Sequence, residues 1–95
     1  MDDATTRMDG NVAAGLLTEI FAFDATTART VCAGCGAVAP VGSLAAYALE
    51  MGAILRCPGC DTALIRIARL GTGYGLDLRG TSVLRVWTNA RPHPA

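Results

Sequence analysis

CAGCG at residues 32–36 and CPGCD at residues 57–61 hold all four cysteines of the chain. Cys32 and Cys35 are separated by two residues, as are Cys57 and Cys60, and 21 residues lie between Cys35 and Cys57. A C-x2-C pair bends the backbone into a tight knuckle and aims both sulfurs at one point. Two knuckles brought together by a hairpin supply four thiolates in a tetrahedron. Zinc takes that donor set, with Zn–S near about 2.3 Å. Four-cysteine sites commonly leave about 15–20 residues between the pairs. A hairpin insert takes up one more.

The flanking residues agree. Gly36, directly after Cys35, can adopt the left-handed conformation that turns backbone N–H groups toward sulfur. Gly34 and Gly59 sit inside the knuckles, where side chains would crowd a metal. Pro58 fixes φ within the second knuckle. Asp61 follows Cys60 as Gly36 follows Cys35, and Asp tolerates such turns better than most residues. Arg56, beside Cys57, is placed to offset part of the negative charge of a four-thiolate centre.

Two other chemistries use the same pattern. Iron in a rubredoxin-like site also takes paired knuckles, one of them with Cys-Pro. It calls for a dense aromatic core, and this chain is 5 % aromatic. A redox dithiol would open a helix after a strand in a βαβ unit, and the sequence offers no such unit. The reading is one structural Zn2+ held by Cys32, Cys35, Cys57 and Cys60. Four protein ligands close the coordination shell, whereas a catalytic zinc keeps a position open. That argues against a hydrolase.

The chain has 95 residues and formal net charge zero, which fits one domain with a small core that a structural metal would help to hold. The 52 % hydrophobic content excludes a disordered chain of low hydrophobicity and high net charge. All eight basic residues are Arg, and there is no Lys or Gln, as in proteins from GC-rich bacterial genomes. No apolar run is long enough to span a membrane. The start, MDDATTRMDG, is acidic and polar, unlike a secretory signal. The expectation is a cytoplasmic protein, whose reduced thiols are ligands or redox groups rather than disulfides.

The pattern predicts a small α+β protein: an N-terminal helix, then an antiparallel zinc-ribbon β-sheet of two knuckles plus a β-meander. Residues 1–7 are expected to be a disordered N-terminus, with Met8 an alternative start. Residues 8–88 form the single domain: helix 8–23, zinc ribbon 28–70 and a β-hairpin extension 71–88. A flexible tail, 89–95, follows. Met8, Val12, Leu16, Ile20 and Phe23 recur at helical spacing, and Ala13, Leu17 and Phe21 widen the stripe. Asp9 is the expected N-cap. The stripe packs on the rest of the domain or serves a partner, a second copy included.

Beyond the helix, 24–31 leads into a strand, and Pro40 marks a turn or an edge. Residues 43–51, 53–56, 62–70, 74–79 and 83–88 read as strands, although the Ala content of 43–51 leaves a helix open there, with turns at Gly52, 71–73 and 80–82. In the last, either Leu84 and Val86 face inward or Val83, Arg85 and Trp87 do.

No catalytic constellation is visible. His93 is the only His and lies in a Pro-rich tail, and Ser43 and Ser82 have no partner motif. GTGYG at 71–75 precedes a strand, while a phosphate cradle needs a helix N-terminus. Charge is uneven: residues 1–55 carry two Arg against six acids, and residues 56–95 six Arg against two. Arg66, Arg69, Arg79 and Arg85, with Trp87, are a candidate partner-binding face, set against the plainer reading of a solvated sheet face. Zero net charge does not favour nonspecific nucleic-acid binding.

MDGN, a short helix, CAGCG, LRCPGC and LDLRG together resemble a family of small bacterial zinc-ribbon proteins of unknown function, from Met8 to about Val86. The resemblance implies that Cys32, Cys35, Cys57 and Cys60 are the metal ligands. It implies no activity. The expected function is a non-enzymatic zinc-binding adaptor or accessory protein with a protein partner. A rubredoxin-like electron carrier and a nucleic-acid-binding ribbon are the alternatives. A homodimer through helix 8–23 is a further expectation; no membrane partner is expected.

Overall fold

The computed structural model describes residues 8–22 and 24–87. The expected disordered N-terminus at 1–7 and the tail at 89–95 lie outside these, as do Phe23 and His93. Eight strands and one α-helix form the described part: β1 (Met8–Asp9), α1 (Ala14–Ile20), β2 (Arg29–Cys32), β3 (Val38–Pro40), β4 (Ala45–Leu49), β5 (Gly52–Arg56), β6 (Ala63–Leu70), β7 (Gly73–Asp77) and β8 (Thr81–Arg85). Short 3-10 turns at Gly10–Ala13, Ala25–Thr27 and Val41–Ser43 fill the gaps.

The α-helix is shorter than the predicted span of 8–23. Met8 and Asp9 pair with Ala46 and Ala45, so this stretch of backbone joins β4 rather than a helix. Asp9 still caps, but it caps the 3-10 turn, its carboxylate accepting from the Asn11 N–H. The apolar stripe is rotated as well. Ala13 and Leu17 are buried, with Leu16, Ile20 and Phe21 packed at the margin, whereas Met8 and Val12 are exposed. The helix packs within its own chain. Leu17 belongs to the same buried cluster as Leu55, Ile65 and Ile67. The Tyr74 hydroxyl donates to Glu19 of α1, and Arg69 donates to that hydroxyl (3.3 Å) from a position over the ring.

The strands form two sheets, not one meander: five strands in the order β1-β4-β5-β6-β7, and three in the order β3-β2-β8. The predicted hairpin over 71–88 does not form. β7 pairs with β6, and β8 crosses to pair with β2. Three residues make that crossing, Leu78–Gly80, and they pass close over β6: a Cβ on Gly80 would stand 1.9 Å from the Ala63 carbonyl oxygen. Strand alternation specifies which face is inward but not which strand is the neighbour. Leu84 and Val86 are the inward pair of the last strand, packed against the core. Pro40 closes β3, an edge strand, as its missing N–H demands.

Leu17, Val41, Leu44, Leu55 and Leu64 are the bulky, fully buried side chains, and Cys32 and Cys57 belong to the same cluster. Thr30, fully buried, satisfies its hydroxyl on the Ala39 carbonyl (3.0 Å). The sheets meet at the cysteine end. There the Thr81 hydroxyl donates to the Leu64 carbonyl (2.8 Å), and the Ala33 N–H donates to the Gly80 carbonyl (2.8 Å).

Candidate metal centre

Each C-x2-C segment connects two paired strands. The first lies between β2 and β3, the second between β5 and β6. The two are built alike. The Cys32 N–H donates to the Ala37 carbonyl and the Gly36 N–H to the Cys32 carbonyl; the Cys57 N–H donates to the Thr62 carbonyl and the Asp61 N–H to the Cys57 carbonyl, all at 2.8–2.9 Å. The fifth residue of each segment takes a positive φ: +80° at Gly36 and +69° at Asp61. Gly pays no steric cost there, and Asp is among the residues best able to bear it. A register irregularity precedes each knuckle, at Val31/Cys32 and at Leu55/Arg56. Such bulges bend the strand and re-aim its side chains.

The result is convergence. The sulfurs of Cys32, Cys35, Cys57 and Cys60 all lie within 4.8 Å of one another. Cys32 Sγ is 3.6 Å from Cys60 Sγ, and Cys35 Sγ is 3.7 Å from Cys57 Sγ. A tetrahedron of sulfurs at the zinc bond length has edges of about 3.8 Å. The close contacts therefore run between knuckles at the separation one metal ion requires. At about 2 Å, a disulfide would be far shorter. The donor set fits a single tetrahedral cation. One cysteine of each knuckle is buried, Cys32 and Cys57, and one exposed, Cys35 and Cys60.

Electrostatics within the thiol cluster favour such a cation. Burial opposes ionisation of Cys32, yet the backbone N–H groups of Cys35 and Gly34, with the Cys60 and Thr62 side chains, bring it down to about 6. At Cys35 the Ala37 backbone favours the thiolate, but the neighbouring Cys57 and Cys60 thiols push the group up to about 11. One thiol ionises readily, while hydrogen bonding within the cluster holds another protonated. A bound divalent cation removes that conflict, because it binds thiolates and releases their protons.

The flanking residues act partly as the sequence implied. A Cβ on Gly34 would stand 2.4 Å from Thr62 Oγ1, so a side chain here would have to displace that hydroxyl from beside Cys60. Gly59 is different: a Cβ there would make only ordinary contact, 3.8 Å from Cys57 Sγ. Arg56 braces the second knuckle, donating to the Asp61 carbonyl (3.0 Å) with the Asp61 carboxylate 3.9 Å away. Thr62, which the sequence reading missed, places its hydroxyl 3.0 Å from Cys60 Sγ.

The five proposed partner-binding residues do not share a face. Arg66 and Arg69 are three apart on β6 and therefore project to opposite sides. Arg79 is held by both carboxylate oxygens of Asp77 (2.7 and 3.1 Å), which keeps that carboxyl well below the usual range. Arg85 lies in the other sheet, opposite Arg29, and Trp87 follows just past the end of that strand. Arg29 was overlooked because it lies in the acidic half of the chain. Pairing across strands, invisible to a count along the sequence, brings the two together.

Among the described residues no helix is long and apolar enough to cross a membrane. A family model described as a family of unknown function (DUF6510) matches residues 3–89, and the chain belongs to that family. No curated protein and no solved structure matches it.

Proposed function

We propose that this member of a family of unknown function is a non-enzymatic zinc protein, holding one structural Zn2+ on Cys32, Cys35, Cys57 and Cys60 and serving as an adaptor or accessory protein for a protein partner. One observation carries the reading: four sulfur donors from two matched knuckles converge on a single point. With all four as ligands, no position is left for water or substrate, and a closed shell of this kind is structural. The buried cluster around Cys32 and Cys57 is made of Leu, Val, Ile and Ala, with no aromatic side chain among its buried members in the described residues. That supports zinc over a rubredoxin-like iron site. Free thiols suit a reducing compartment such as the cytoplasm.

The metal would supply cohesion rather than reactivity. Structural zinc sites in small domains contribute about 10–16 kcal/mol of apparent binding free energy. That matches the whole stability of a domain this size, about 5–15 kcal/mol. The test is metal analysis by mass spectrometry with a visible spectrum, on protein purified without a metal-affinity step. One zinc per chain in a colourless sample is expected. One iron per chain with strong visible bands would replace the adaptor reading with electron transfer.

A further inference from the structure

The three-stranded sheet has an outer face that the thiol cluster does not use. Val31 stands opposite Val38 on one side and Val83 on the other; Arg29 stands opposite Pro40 and Arg85. Directly opposed residues of antiparallel strands share a face, as do residues two apart along one strand. The face therefore presents a row of three valines and, in the next row, two arginines and a proline. Thr30, Ala39 and Leu84 occupy the opposite side, toward the core. Val38 and Val83 are 58 % and 48 % exposed, and Trp87, just past β8, is 53 % exposed. At the arginine end, Thr27, Arg29 and Trp87 line a hollow of about 290 Å³.

Two features of this face work against the isolated chain. Like charges directly opposite each other on neighbouring strands are destabilising. Among the described residues, neither Arg29 nor Arg85 has a carboxylate partner; the ion pairs are Arg56–Asp61 and Arg79–Asp77. Exposed valines leave apolar area in water. A partner that carries an acidic and an apolar side chain relieves both. The two rows lie about 7 Å apart, the i to i+2 spacing of an extended strand. The sheet also has an open edge. β8 is an edge strand of five residues without proline, so among the described residues its outward N–H and C=O groups face no neighbouring strand. The other edge, β3, has three residues and ends in Pro40.

We infer that an extended segment of a protein partner adds as a fourth strand beside β8, with an apolar side chain next to Val83 and an Asp or Glu next to Arg85. This rests on the adaptor reading and gives the partner its chemistry and its place. A single nucleic-acid strand would use the arginines and Trp87 but leave the valine row without a role. The metal and the docking face are joined through the backbone. β2 runs into Cys32, and Cys32 pairs with Thr81 at the start of β8.

The test uses the zinc-loaded full chain and a display library of ten-residue segments, followed by fluorescence anisotropy on synthesised hits. The hits are expected to carry an acidic residue two positions from an apolar one. Arg29→Glu and Arg85→Glu should each weaken their binding by about tenfold or more, with metal content and circular dichroism unchanged. Arg29→Glu should also melt higher than the parent, since it turns a repulsive cross-strand pair into an attractive one. Hits without the acid–apolar pattern, or hits that bind both variants as tightly as the parent, would overturn the inference. So would an oligo-dT that binds in place of any peptide and is lost in the same variants; that result would reassign the face to nucleic acid. Metal analysis of the parent is a separate readout, so failure of the docking face and failure of the structural-zinc reading are told apart.

Discussion

The two knuckles share one hydrogen-bond pattern, yet their sheets are assembled in opposite ways. The second knuckle lies within the run β4–β7, where every strand pairs with its sequence neighbour. The first lies in a sheet completed by β8, so Val31 waits for Val83 from the far end of the described chain. Local hairpins close short loops; β2–β8 pairing closes a long one and carries a larger entropy cost. Matched local chemistry thus sits on unequal supports. A cation bridging the knuckles would tie the sheet that pairs late to the sheet that pairs locally.

The sharpest way to break this comparison is to remove a ligand. Cys60→Ser or Cys35→Ser should lose metal-linked stability on the order of 10 kcal/mol and unfold much of residues 30–70, read by circular dichroism and thermal melting. A Cys60→Ser variant with the parent's spectrum and melting temperature would contradict the structural role. Next in size is the core that both sheets share. Leu17→Ala, at a side chain 1 % exposed, should cost about 2–5 kcal/mol in chemical denaturation while the protein still binds metal. A loss under about 0.5 kcal/mol would mean that α1 does not pack in cis.

A smaller effect compares the knuckles directly. Gly36→Ala forces a side chain into the left-handed region and should destabilise by about 1–2 kcal/mol. Asp61→Gly relieves that strain and should be neutral or slightly stabilising, because the Arg56–Asp61 carboxylate contact is long and solvent-exposed. Equal losses in both variants would show that the knuckles are not equivalent in backbone demand. The smallest effect lies away from them. Asp77, paired with Arg79, has a depressed folded pKa, so its contribution is present above the ordinary carboxylate range and is lost on acidification. Asp77→Asn should melt slightly below the parent by an amount constant from about pH 8 to pH 5, since the carboxyl is ionised in folded and unfolded chains alike there.

The convergence of the four cysteines was legible because its information is local. Two-residue spacing, Gly36 and Asp61 describe each knuckle without reference to the rest of the chain. Strand alternation likewise placed Ile65 and Ile67, both buried, on one face of β6. What could not be read is pairing at a distance. The apolar period over 8–23 carried no sign that Met8 and Asp9 would join β4, nor did the alternation over 71–88 show that β8 would leave β7. The arginines failed for the same reason. Arg66 and Arg69 are neighbours in sequence but point apart, whereas Arg29 and Arg85 are distant in sequence and directly opposed.

The most direct test of a metal as the link between the two sheets is amide hydrogen exchange on the zinc-loaded chain before and after chelation. Chelation should strip protection from β2, β3 and β8 first, with β5 and β6 exchanging more slowly than they do. Protection that is the same in all strands with and without metal would contradict the account.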